Sequence, residues 1–101
     1  MYLLTLQFDE NDMSDFDWLV KLENKLIDSL SSDDEVDGHD IGQGEMNIFI
    51  LSRNPEQTFT EIQSQFKELM KRDDFRCAYR PQNSNEYTPL WPKDLISFSV
   101  T

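Results

Sequence analysis

Residues 36–52, VDGHDIGQGEMNIFILS, decide the fold. The stretch opens acidic, holds all three glycines of the chain (Gly38, Gly42, Gly44) and its only histidine, His39, and then becomes the most apolar run in the sequence. Gly42-Gln43-Gly44 between two alternating segments predicts a hairpin, because glycine reaches positive φ at no steric cost and lets the chain reverse tightly. Its second arm, Met46 to Leu51, alternates Met46, Ile48 and Ile50 toward a core with Asn47, Phe49 and Leu51 on the other face.

Upstream, residues 1–9 alternate as a strand with Tyr2, Leu4, Leu6 and Phe8 on the core side and Leu3, Thr5 and Gln7 opposite. An acidic loop, Asp9 to Asp12, leads to a helix start in which Ser14 caps, Asp17 stands at N3, and Met13 staples onto Trp18. Leu19, Leu22, Leu26, Ile27 and Leu30 recur at helical spacing and predict an amphipathic helix to about residue 30. Downstream, Asn54-Pro55 predicts a second helix start, with Phe59, Ile62, Phe66 and Leu69 as its buried stripe and Lys67, Lys71 and Arg72 at its negative end. Phe75 to Arg80 alternates as a fourth strand, Tyr87 to Trp91 returns beside it as an edge because of Pro89, and Ile96, Phe98 and Val100 alternate as a short terminal strand. The order predicts one α+β domain over residues 1–101: ferredoxin-like βαββαβ with an antiparallel sheet, two helices on one face, and extra C-terminal strand material.

The chain carries 20 acids against nine Lys and Arg, a net charge of −11. Residues 1–50 hold thirteen acids and two lysines, and residues 51–101 seven charges of each sign, so the whole excess lies in the first half. Such a field repels nucleic-acid phosphates and anionic membranes and attracts basic partners. No run of about 18 apolar residues is present to span a bilayer, and the first residues enter a strand pattern without a basic leader, so a cytoplasmic location is expected. Cys77 is the only cysteine and sits in an alternating run, which predicts a buried thiol.

Specific chemistry is sparsely encoded. Asp33, Glu35, Asp37 and Gly38 match the opening of a calcium-binding EF-hand loop, but Gly44 stands where the bidentate glutamate belongs, and Glu45 comes one residue late. His39 and Asp40 are neighbours on a strand and point to opposite faces, which argues against a joint metal site. Neither a metal nor a cofactor is expected. No nucleophile elbow, HExxH or P-loop is present. Acylphosphatases share the expected fold, and Asn47 matches their strand-three asparagine, yet the loop after strand one has no arginine. RNA-recognition domains share it too, but of their stacking aromatics only Phe49 is represented.

A protein-binding module, not an enzyme, is the leading expectation. Its candidate surfaces are the acidic end formed by Asp9, Glu10, Asp12, Asp40 and Glu45, and an open sheet face where Asn47 and Phe49 lie beside Leu3 and Thr5 with Arg76 and Arg80 at the margin. A tail segment folded over that face is the competing expectation. Two alternatives stand beside protein binding: a small-ligand or metal-binding protein or enzyme with a pocket at the 37–47 hairpin around His39, Asp40 and Asn47, and a homodimer joined through the sheet face. The hairpin DGHDIGQGEMNIFIL, the Asn54-Pro55-Glu56 helix start and the later EYTPLWP together resemble a group of small uncharacterised bacterial proteins, a resemblance that implies no activity and no site residues. By size and acidity the chain is also similar to immunity proteins that neutralise basic toxins, which implies a basic protein partner.

Overall fold

The computed structural model describes residues 1–12, 14–31 and 33–100. The elements run β1 (Tyr2–Asp9), α1 (Ser14–Ser29), β2 (Glu35–Gly42), β3 (Glu45–Ser52), α2 (Pro55–Gln65), α3 (Lys67–Met70), β4 (Arg76–Pro81) and β5 (Thr88–Trp91). The strands form one antiparallel sheet in the order β2-β3-β1-β4-β5. An α+β architecture is thus established, and among the described residues no helix is long and apolar enough to cross a membrane.

Alternation puts Leu4, Leu6, Phe8, Met46, Ile48, Ile50 and Cys77 on the face that meets the helices, all with no exposed surface. Leu19, Leu22 and Leu26 of α1, Phe59 and Ile62 of α2, and Leu69 of α3 close over them. Phe8 stacks on Phe75 at 5.2 Å and meets the edge of Trp18 at 5.0 Å, so aromatic packing ties β1 to α1 and to the entry of β4.

The hairpin turns on two residues. Gly42 pairs with Glu45, and Gln43 (φ 54°) and Gly44 (φ 82°) both occupy the left-handed region, the pattern of a type I′ turn. Glycine's freedom is therefore used at Gly44 but not at Gly42, while Gln43 bears the strain a side chain meets at positive φ. The second point of need is Gly38 (φ 131°), at a register shift between Val36 and Gly38. There Asp37 is the extra residue, and the bulge lets Val36, His39 and Ile41 all pair with core-facing residues of β3, namely Ile50, Ile48 and Met46.

Several local expectations are corrected. The α1 cap is made two residues earlier than Ser14 and Asp17 suggest: Asp12 accepts from the Ser14 amide at 2.8 Å, and Asp15 reaches back to the amides of Asn11 (2.7 Å) and Asp12 (3.1 Å). Asp12/Asp15 and Ser14/Asp17 both satisfy the three-residue spacing of a capping box, and it is the first pair whose carboxylates meet the free amides at the start of the helix. The Met13 staple lies outside the described residues. Ile27 is 56% exposed and does not join the core stripe. The second helix pauses at Phe66 (φ −123°, ψ 61°), dividing α2 from α3, although Phe66 itself remains buried. Asn54 does cap α2, its Oδ1 accepting from the Gln57 amide at 3.2 Å with Pro55 in the first turn.

The terminal strand expected at Ile96–Val100 is absent. Pro89 in β5 and Pro92 just after it lack the amide donors that a further strand would need. The segment after Pro92 instead turns across the sheet face opposite the helices, and Ile96 is 95% exposed.

Candidate functional site

On the face opposite the helices, Thr5, Gln7, Asn47 and Ala78 are buried, although no helix covers them. Their cover is the tail together with Tyr87 of the loop before β5. Gln7 Nε2 donates to the Ser99 carbonyl at 3.0 Å, Thr5 Oγ1 lies 3.4 Å from the Tyr87 hydroxyl, and the Tyr87 and Phe98 rings pack at 4.8 Å. Among the competing expectations the tail segment, not an open face, describes this surface. Leu3, Phe49 and Leu51 remain half-buried beside it.

Under the tail the polar residues form one network at the hairpin end of the sheet. Gln7 Nε2 also donates to Asn47 Oδ1 (3.0 Å) and Glu45 Oε2 (3.2 Å), while its Oε1 accepts from Arg76 Nε at 2.7 Å. Asn47 Nδ2 donates to Glu45 Oε2 at 3.0 Å. Arg76 continues to Asp9 Oδ1 and to the Asp74 carbonyl, each at 3.0 Å. Asp74 in turn accepts the Asp9 amide at 3.2 Å and both arms of Arg72 at 2.8 Å. The Arg72 guanidinium lies 4.3 Å over the Trp18 ring, and its hydrogen bonds hold the Asp74 carboxyl below the usual carboxylate range against the opposing effect of burial.

Of the nine candidate site residues, Asp9, Glu45, Asn47 and Arg76 thus come together, but in hydrogen bonds to one another and to Gln7. Arg80 is turned into the 81–87 loop, donating to the carbonyls of Pro81, Gln82 and Ser84 and lying 5.8 Å over Tyr87. The two arginines therefore brace the chain itself. Asp12 is occupied as a helix cap, and its hydrogen bonds from Ser14 lower its pKa. Phe49 stands apart, paired with Thr5 and Gly38 across the sheet.

Glu10 and Asp40 remain, and they flank a cavity of about 540 Å³ between the start of α1 and strand β2, lined also by Phe16, His39 and Ile41. The Glu10 amide donates to the Gly44 carbonyl at 2.8 Å, which seats the acidic loop against the hairpin tip. Phe16 is 48% exposed here and meets the His39 ring at 5.9 Å. His39 Nδ1 lies 3.1 Å from both carboxylate oxygens of Glu23 on α1. Asn47 registers with Asp40 but His39 registers with Ile48, so His39 and Asn47 lie on opposite faces: of the expected His39, Asp40 and Asn47 pocket, the cavity keeps His39 and Asp40 and loses Asn47. Among the described residues no three His, Cys, Asp or Glu side chains gather to hold a metal ion.

The other run, Asp33 to Glu35, lies at the opposite end, where Asp34 accepts from Thr58 Oγ1 at 3.0 Å. Cys77 is fully buried, which pushes its thiol well above the ordinary range and keeps it from acting as a nucleophile. Phe16 and Glu23 were not among the sequence candidates. Their signal is a second helical stripe, Phe16, Val20, Glu23 and Ile27, beside the core stripe of α1. Compared with protein-family models, curated proteins and solved structures, the chain matches none.

Proposed function

We propose that this protein is a non-enzymatic binding module of ferredoxin-like βαββαβ topology that engages a basic protein, as an immunity or inhibitor protein does, through its acidic hairpin end. The strand order β2-β3-β1-β4, with β5 added beyond β4, supports the topology. The observation that carries the function is the cavity beside β2: Glu10 and Asp40 line it together with apolar Phe16 and Ile41, and no lysine or arginine does. The sheet face is the weaker surface, since the tail crosses it and Arg76 and Arg80 are engaged internally. A half-buried Glu10 and an exposed Asp40 beside apolar side chains steer a cationic partner and then bury its apolar contact.

The test is affinity capture from the native cell, followed by titration of the captured protein against the E10Q/D40N variant. These two carboxylates lie outside the internal network, so the fold is retained. Association should slow about tenfold at low salt, with the difference shrinking toward 0.5 M salt. Unchanged binding by the variant at low salt would remove the proposal.

A further inference from the structure

The cavity at Glu10 and Asp40 has a neighbour along the same helix and strand. On the other side of the Glu23–His39 bridge, α1 and β2 line a second, half-open cavity of about 240 Å³ with Ile27, Leu30, Val36 and the acids Asp34 and Glu35. Phe16 and Ile27 are two of four strongly exposed large apolar residues among those described, and both lie on one line of α1 with Val20 and Glu23 between them. At 3.6 residues per turn Lys21 and Lys25 fall on the opposite side of the helix.

We infer that the α1/β2 groove as a whole is a docking site for a cationic amphipathic helix that places one apolar side chain against Phe16 and a second against Ile27. The inference rests on the reading of the acidic end as a protein-binding surface and extends it to the far end of α1. Eleven residues of helix separate the two anchors, about 16 Å, so a partner helix alongside α1 would present its own anchors at the same spacing. Acids stand at both ends, Glu10 and Asp40 at one and Asp34 and Glu35 at the other, while Glu23 at the middle is engaged by His39. A basic helix is therefore complementary at both of its ends, whereas a second copy of this chain would set acids against acids. An added strand is a poorer occupant, because the bulge at Asp37 interrupts the regular edge of β2.

The test uses a synthetic fluorescein-labelled 18-residue lysine-rich helical peptide carrying two tryptophans eleven residues apart, read by anisotropy. The control has the same composition with the tryptophans nine residues apart, on opposite helix faces. Both Phe16→Ser and Ile27→Ser alter exposed side chains, and circular dichroism checks that each variant is folded. The expected result is at least tenfold weaker binding of the control peptide and at least fivefold weaker binding of the matched peptide to each variant. If Phe16→Ser weakens binding and Ile27→Ser does not, docking is confined to the acidic end: the two-anchor site is overturned and the proposed function survives. Equal binding of both peptides, or no binding of either, also overturns it. Sedimentation equilibrium supplies the last arm, since a dimer of the protein alone that Ile27→Ser dissociates would make a second copy the occupant and refute the basic-helix assignment. Failure of the proposed function itself is read separately, from E10Q/D40N against the captured partner.

Discussion

Replacing Gln7 with methionine tests how the tail and the sheet are joined. The side chain is 4% exposed, and its carboxamide donates to Asn47, Glu45 and Ser99 while accepting from Arg76. Methionine has nearly the same length and shape but none of these bonds. The consequences differ among the partners: Ser99 is exposed and its carbonyl can rehydrate, and Arg76 keeps Asp9 and the Asp74 carbonyl. Asn47 is fully buried, so its Oδ1 is left without a donor at a cost of about 1–3 kcal/mol. The lost bond from the Arg76 guanidinium adds to this, and the apolar methionine offsets part of it, for a net destabilisation of about 2–3 kcal/mol. In a domain of this size that lowers Tm by about 10–20 °C, measurable by urea and thermal denaturation. The double variant Q7M/N47L removes both partners and should cost no more than Q7M alone, giving a coupling energy of about 1–2 kcal/mol. Amide exchange at residues 98–100 should accelerate in Q7M. A Q7M stability within about 0.5 kcal/mol of the parent would refute the network as a stabilising element.

Arg72→Lys keeps the charge but loses the paired bonds to Asp74 and the flat contact with Trp18, and should destabilise by about 1–2 kcal/mol in thermal melts. Asp74 has a folded pKa below its unfolded value, so its stabilisation is complete above about pH 4 and is lost as pH falls through the folded pKa; Asp74→Asn should flatten the acid limb of a stability-against-pH curve. At the hairpin, Gln43→Gly should raise stability by about 0.5–1 kcal/mol, and Gly44→Ala should lower it by about 1 kcal/mol, both read from denaturation midpoints. Cys77 should react with Ellman's reagent only at the rate at which the protein opens, and fast labelling under native conditions would contradict its burial.

Features with a short-range cause were readable in the chain. The Asn54-Pro55 helix start, the β2–β3 hairpin and the core-facing alternation of β1 and β3 each depend on residues within a few positions of one another. Where a local rule had two solutions, context chose between them: Asp12 with Asp15 and Ser14 with Asp17 offer the same capping spacing. Periodicity also passes unbroken through Phe66, because the chain can pause for one residue and still direct the next apolar side chain inward. At the tail, Ile96, Phe98 and Val100 satisfy a strand's alternation, yet alternation describes only where side chains point, and a strand also needs a neighbour with free amides.

The candidate site shows the same division more sharply. Sequence by itself determined the concentration of charge in the first half and the placing of the acidic loop at the hairpin end, but it put Ile27 in the core stripe of α1, and only the structure shows Ile27 exposed on one line with Phe16. Tertiary structure alone decided which of those acids remain available. Arg76 meets Gln7 and Asp9 across 69 and 67 positions of chain, and Ser99 meets Gln7 across 92. No local pattern encodes such pairings, because they depend on which strands become neighbours and on where the tail is carried after the last strand. Those long-range contacts engage the expected sheet face and leave Glu10 and Asp40 outside the network, lining the cavity beside β2.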